Sequence, residues 1–365
     1  MNFDFSEEQR GLQGELRDYL ADASPLTVCR KSLEAGAGIG GDLWRAMGEL
    51  GWLGIRVPEK FGGSGLGALE LALAAEEVGR ALSPIPFGPS ICGVVETLLA
   101  NGSEVQQARW LPGLATGEQI GVLALAEAGR AFDAATLGTE LRGGKLHGTK
   151  TMVADGGAAT VAIVACRQED EPALALVVLD QPRIARTPAK SIDPSRSVVS
   201  LEFDGAEAEL LGGKIALDAM LLRSAVHCAF EQIGGADALF AITRAFMDFR
   251  QAFDKPISSY QALKHRMADL YTAIELARAN AYYAAWALSA GSPELAEAAC
   301  CARVAASQAF QLATEEAIQM HGGIGFTWES DCHLFYRRAK YLSAWLGAPD
   351  HWRERLIAEL DAAII

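Results

Sequence analysis

The segment Gln319-Met-His-Gly-Gly-Ile-Gly-Phe-Thr-Trp-Glu329 gathers residue types suited to holding a flat or phosphorylated ligand. Gly322 and Gly323 end an apolar-periodic helix predicted over Ala305 to Met320. Adjacent glycines let the backbone turn through positive φ and leave its amides and carbonyls unshielded by a Cβ. Gln319, just before the bend, offers both an amide donor and an acceptor. A bare Gly-Gly pair is more often an ordinary helix C-cap, so the bend alone does not decide the matter. Arg250 stands near the end of a helix predicted over 214–248, followed by Phe253 and Gln261. Its guanidinium fork matches phosphate oxygens in pairs; the alternative is a solvated helix-end arginine satisfying the last carbonyls. Glu231 lies on the same helix, between Ala229-Phe230 and Ile233-Gly-Gly235. In so apolar a setting an unpaired carboxylate is costly and its proton affinity rises, which makes Glu231 a candidate proton acceptor. The competing expectation is a structural glutamate paired with Arg223, Arg244 or a neighbouring subunit.

The elements that must position these residues fall into three stretches. Residues 1–118 read as helical, with leucines at 12, 16 and 20 on one helix face and Ser6 as an N-cap. Helices are predicted at Ala68 to Leu82 and Ile91 to Ala100, separated by Pro84, Pro86 and Pro89. Residues 119–213 read as short strands, with a hairpin turn at Arg142-Gly-Gly-Lys145. Residues 214–365 return to helical periodicity, in runs 214–248, 258–289, 293–320 and 331–345, the last capped by Ser330 or Asp331. The order is an α+β arrangement: helical domain, small β-barrel or sandwich, helical domain.

Five phrases in order resemble the acyl-CoA dehydrogenases, flavin enzymes that desaturate acyl thioesters. They are Leu50-Gly-Trp through Gly65-Leu66, Leu123-Ala-Leu-Ala-Glu127 with Asp133, His147-Gly-Thr-Lys150, Arg250-Gln-Ala-Phe253 with Gln261, and the 319–329 segment. The resemblance implies that family's fold: an N-terminal helical domain, a central small β-barrel and a C-terminal four-helix bundle. It implies FAD as cofactor, with Arg250, Phe253, Gln261, Gln319, Gly322 and Gly323 around the diphosphate half. Leu125 and Glu127 lie on the strand that meets the isoalloxazine. It also implies an acyl-CoA substrate, FAD sites shared between subunits of a homo- or hetero-oligomer (a dimer or dimer of dimers), and electron-transfer flavoprotein as acceptor.

This chain departs from the pattern at informative places. Asp254 replaces the glycine after Phe253, Ala126 replaces a threonine beside the flavin edge, and Met152-Val-Ala154 replaces Trp-Ile-Thr. The family takes its catalytic glutamate from one of two positions, and here Leu346 and Ser224 occupy them. Glu231, a helical two turns beyond Ser224, is the remaining candidate. Loss of both glutamates resembles the auxiliary chain of a heteromer whose partner supplies the base, a type associated with bulky thioesters such as degraded steroid side chains. An FAD-poor scaffold of the same fold and a flavin monooxygenase are the alternatives.

Composition bounds the remaining choices. A chain of 365 residues, 50% hydrophobic, is long enough for a large core in two or three lobes. A formal charge of −14 argues against nucleic acid, whose phosphates need a basic field. Seven cysteines without Cys-x-x-Cys spacing argue against zinc and against a disulfide framework. With no apolar run long enough to span a bilayer and no signal peptide read at the start, no membrane association and a cytoplasmic location are expected.

Overall fold

The computed structural model describes residues 5–36, 40–129 and 132–364. Helices α1 (Glu7–Ala23), α2 (Leu26–Ala35), α3 (Gly41–Glu49), α4 (Ala68–Arg80), α5 (Glu96–Asn101) and α6 (Glu104–Thr116) come first. Ser6 caps α1 as expected: its hydroxyl accepts from the Gln9 amide while the Gln9 side chain returns to the Ser6 N–H. The helix expected over 91–100 begins differently. Gly88–Val95 is wound as a π-helix and only Glu96–Asn101 is α-helical. Pro89 stands in the first turn, where a missing amide costs no intrahelical bond.

Eight strands form the middle: β1 (Gly121–Ala124), β2 (Glu140–Arg142), β3 (Lys145–Ala154), β4 (Val161–Gln168), β5 (Glu171–Val178), β6 (Ile184–Pro188), β7 (Val198–Glu207) and β8 (Glu209–Gly213). They form one sheet in the order β6-β7-β3-β2-β4-β5-β8, with β1 parallel to β4. Gly143 and Gly144, with φ of 55° and 75°, turn the β2–β3 hairpin in the left-handed region that a two-residue turn requires. The sheet curls over a core of its own, including Val122, Leu146, Val164, Val177 and Phe203. β3 is bulged between Lys150 and Val153, and Met152 stands there at a φ of 53° with its side chain 54% exposed. Bulges re-aim side chains beside sites.

The C-terminal helices are α7 (Lys214–Phe249), α8 (Gln261–Ala290), α9 (Leu295–His321), α10 (Cys332–Ala344) and α11 (Pro349–Ile364). A two-residue ribbon, β9 (Gln251–Ala252) with β10 (Lys255–Pro256), links α7 to α8. α4 packs against α7 backbone to backbone. A Cβ on Gly79 would strike the Glu231 carbonyl, and one on Gly234 the Glu76 carbonyl. At α10, Ser330 does the capping, accepting from the Cys332 amide at 3.3 Å, while Asp331 is drawn to Arg30 at 2.6 Å.

Candidate active site

The end of α7 and the end of α9 lie side by side. Phe246 stacks on His321 with centroids 4.1 Å apart, and His321 Nδ1 lies 2.8 Å from the Ala317 carbonyl, so this histidine is structural. One turn beyond Phe246, Arg250 is exposed, and among the described residues its guanidinium has no ion-pair partner. Asp254 does not tie it up: among the described residues it pairs with neither Arg250 nor Lys255. Phe253 tops the ribbon at a φ of 53°, 91% exposed, and Gln261 opens α8 on the surface. Beside them, Gln319, Ile318, Gly325, Phe326, Tyr336 and Arg337 line a groove of about 600 Å³. Nothing lies within 4 Å of a Cβ built on Gly322 or Gly323, and Gly322 has a φ of 61°. An unpaired arginine, a free glutamine and an uncovered glycine bend at one end of a bundle suit a diphosphate.

The ring side is built from β1 and β3. Beyond Ala124 the chain stays pinned to β3, since the Thr151 amide donates to the Ala126 carbonyl at 2.8 Å. Lys150, fully buried, donates to the Leu125 carbonyl at 3.1 Å and to Glu127 at 2.8 Å. Glu127 also accepts from the Gly138 amide and from the amide and hydroxyl of Thr139. Burial would raise its pKa, but these donors, Lys150 foremost, hold it at about 2. The Glu127 carboxylate is thereby committed within the chain, so any contact this segment offers a planar ring comes from backbone. The residues present fit FAD: side chains for the diphosphate, backbone for the ring.

The two positions where the resemblance leads one to expect a base, Leu346 and Ser224, are buried and carry no carboxylate. Leu346, at a φ of 65°, is 2% exposed, and Ser224 is fully buried with its hydroxyl unpartnered. Glu231 is buried as well, but neither Arg223 nor Arg244 pairs with it. Arg223 binds Glu96 at 3.0 Å instead, and Arg244 is exposed. The cations facing Glu231 are Arg196 at 3.6 Å and Arg338 at 3.9 Å, too far for hydrogen bonds. Both are already engaged: Arg196 grips Asp155 through two nitrogens, and Arg338 binds Asp193 at 2.7 Å. Burial pushes the Glu231 carboxyl up, with Asp155 and Asp193 adding to it, while the two arginines pull the other way. With two arginines already matched by two aspartates, an ionised Glu231 has no cation of its own, which agrees with that upward direction.

Sequence reasoning missed this cluster because its members come from distant segments: the β3 end, the 193–196 loop, α7 and α10. Arg338 was visible only as part of the run Arg337-Arg-Ala-Lys340. Asp193-Pro-Ser-Arg196, a charged pair around a proline in a loop, was the signal available. Among the described residues no group of acidic, histidine or cysteine side chains is set to hold a metal, and the cysteines are free. No helix is long and apolar enough to cross a membrane among them.

Residues 6–118 match the acyl-CoA dehydrogenase N-terminal domain and residues 212–360 the C-terminal domain of the same family. The chain is 31% identical over 355 residues to the acyl-CoA dehydrogenase IpdE2 of Mycobacterium tuberculosis, covering 97% of this chain and 98% of that one. Among solved structures it resembles the Tcur3481-Tcur3483 steroid ACAD G363A variant (29% identity, TM-score 0.90, 98% and 99% of the two chains). It also resembles the ChsE4-ChsE5 complex from Mycobacterium tuberculosis (25% identity, TM-score 0.89, 99% of each chain). Matches at both ends of the chain and along its length, on a helix–sheet–helix architecture shared with those structures, establish that it belongs to the acyl-CoA dehydrogenase family.

Proposed function

We propose that this chain is the FAD-holding, base-less subunit of a hetero-oligomeric acyl-CoA dehydrogenase that desaturates a bulky acyl-CoA thioester between Cα and Cβ. The observation that carries the reading is the pair Leu346 and Ser224, buried and without a carboxylate at both family base positions. Two of the similar solved structures are named as two-component assemblies, and one is named for steroid acyl-CoA chemistry, which supports the partner and the bulky substrate class.

Arg250 with Phe253 and Gln261, and Gln319 with Gly322 and Gly323, would together hold the FAD diphosphate at one end of this chain's bundle, where a neighbouring subunit completes the site. Backbone at Leu125 to Glu127 would meet the ring, fixed in place by the Lys150–Glu127 pair and the Thr151–Ala126 bond. When bound, FAD supplies the acceptor for the hydride leaving Cβ. The α-proton needs a carboxylate placed at the reacting carbon, and Glu231 is badly placed for it, ~10 Å along α7 from Ser224. The partner chain supplies the base, and electron-transfer flavoprotein is the proposed final acceptor. The test is a visible absorption spectrum of the chain alone and co-expressed with its genomic neighbour. Flavin bands in the co-expressed complex support the reading; their absence there refutes it.

A further inference from the structure

Residues 322–331 join α9 to α10, and their hydrogen bonds to one another are short in range. The Thr327 amide and hydroxyl both donate to the Ile324 carbonyl, and the Ser330 amide donates to the Thr327 carbonyl. Among the described residues, the hydrogen bonds that tie this stretch to a distant part of the chain all run to α2. Arg30 Nη1 donates to the Trp328 carbonyl at 2.5 Å. Its Nη2 donates to the Ser330 carbonyl at 3.3 Å and to the Asp331 carboxylate at 2.6 Å. The Trp328 indole N–H donates to Glu34 at 3.3 Å.

These contacts back the groove beside Gln319. Trp328 stacks on His333 with centroids 4.7 Å apart, and His333 lines the groove together with Gly325 and Phe326. Arg30 does not line it, so the guanidinium supports the wall from outside. α2 also holds the loop that carries Ile192, another lining residue: the Ser32 hydroxyl donates to the Ser195 carbonyl at 3.1 Å. The bend itself has little to hold it, since nothing lies within 4 Å of a Cβ built on Gly322 or Gly323. Glycine loses more conformational freedom than any other residue when its backbone is fixed. A bend that its ligand must order therefore binds that ligand less tightly than one already in place. A planar, rigid fork spanning two carbonyls and a carboxylate fixes main chain, not merely a side chain.

We infer that Arg30 is a positioning residue for the flavin site. Acting through the backbone of 328–331, it holds the Gly322–Gly323 bend and the His333 wall in the shape that receives FAD. The N-terminal helical domain is thereby part of what sets cofactor affinity, although it contributes no group to the cofactor here. The inference rests on the FAD reading above.

The test is titration of the flavin-stripped complex with FAD, followed by flavin fluorescence, with thermal melts of the flavin-free form alongside. Arg30→Met keeps an aliphatic stem and removes every donor. It should raise the Kd for FAD on the order of tenfold, as expected for a lost set of charged hydrogen bonds, while the melt of the flavin-free form stays at the wild-type value. Arg30→Lys, whose ammonium still donates, should recover part of the affinity. Wild-type affinity in Arg30→Met overturns the inference. So does a raised Kd that comes with a lowered melt and is not recovered by lysine, because that is the signature of an arginine that only stabilises the fold. If Arg30→Met does not fold, Asp331→Ala decides, since it removes one acceptor from a partly exposed position. FAD binding about threefold weaker supports the inference, and unchanged binding overturns it. A wild-type complex that takes up no FAD refutes the proposed function, and the inference with it, before any variant is compared.

Discussion

Phe246 and His321 stack face to face at 4.1 Å, which locks the C-terminal ends of α7 and α9 together. With α7 and α9 packed along each other, Arg250 and the Gly322–Gly323 bend, 72 residues apart in the chain, come to one end of one bundle. Both then face outward, uncommitted, where a cofactor shared with another subunit would lie.

Arg250→Ala should therefore lower flavin content sharply while leaving the fold intact. Because the side chain is exposed and unpaired, stability should change by no more than ~0.5 kcal/mol. Flavin occupancy from the visible spectrum, with far-ultraviolet circular dichroism as the control, checks this. Unchanged occupancy removes Arg250 from the site.

Phe249, Phe253 and Phe326 are 85%, 91% and 82% exposed in the single chain. Bulky aromatics so uncovered near one bundle end mark an interface. Sedimentation should show a dimer or larger assembly, and Phe253→Ser should weaken it. A monomer that binds FAD stoichiometrically contradicts the shared-site account.

Glu127, held at about 2 by Lys150 and its other donors, makes a signed pH prediction. Its folded pKa lies below its unfolded value, so its contribution is present above pH ~4.3 and is lost as pH falls toward 2. Glu127→Gln should flatten the acid limb of the stability curve in that window. It should also lower stability at neutral pH by ~3–5 kcal/mol, because buried Lys150 loses its counter-charge. Denaturant melts from pH 2 to pH 7 measure both effects.

Gly234→Ala should be among the most damaging small substitutions in the chain. Its new Cβ meets the Glu76 carbonyl, backbone that cannot swing away. A loss of about 3 kcal/mol or outright insolubility is expected. The control is Gly11→Ala on the exposed face of α1, where nothing lies within 4 Å, which should be neutral or stabilising.

Local signals made much of this legible. Ser6, the 142–145 hairpin and the Gly322–Gly323 bend act through neighbours a few residues away, so their types reveal their conformation. The family phrases extended that to Arg250 and Gln261. Glu231 was found on apolar context, but its partners were not, because Arg196 and Arg338 reach it from a loop and a helix far along the chain. The committed state of Glu127 was equally hidden, since its donors at 138, 139 and 150 converge only when β3 folds back on β1. The π-winding at 88–95 was not legible, because apolar periodicity marks a helix without telling one winding from another.

The account turns on whether this chain has its own base. The direct measurement is turnover of a panel of acyl-CoA thioesters with an artificial electron acceptor, using the purified FAD-loaded chain alone and complexed with the glutamate-bearing partner proposed for it. Absence of a poised base typically costs ~10²–10⁴-fold. The chain alone should therefore be nearly inert and the complex active, with Glu231→Gln leaving the complex able to turn over. Robust turnover by the single wild-type chain that Glu231→Gln abolishes would contradict the account and make Glu231 the base.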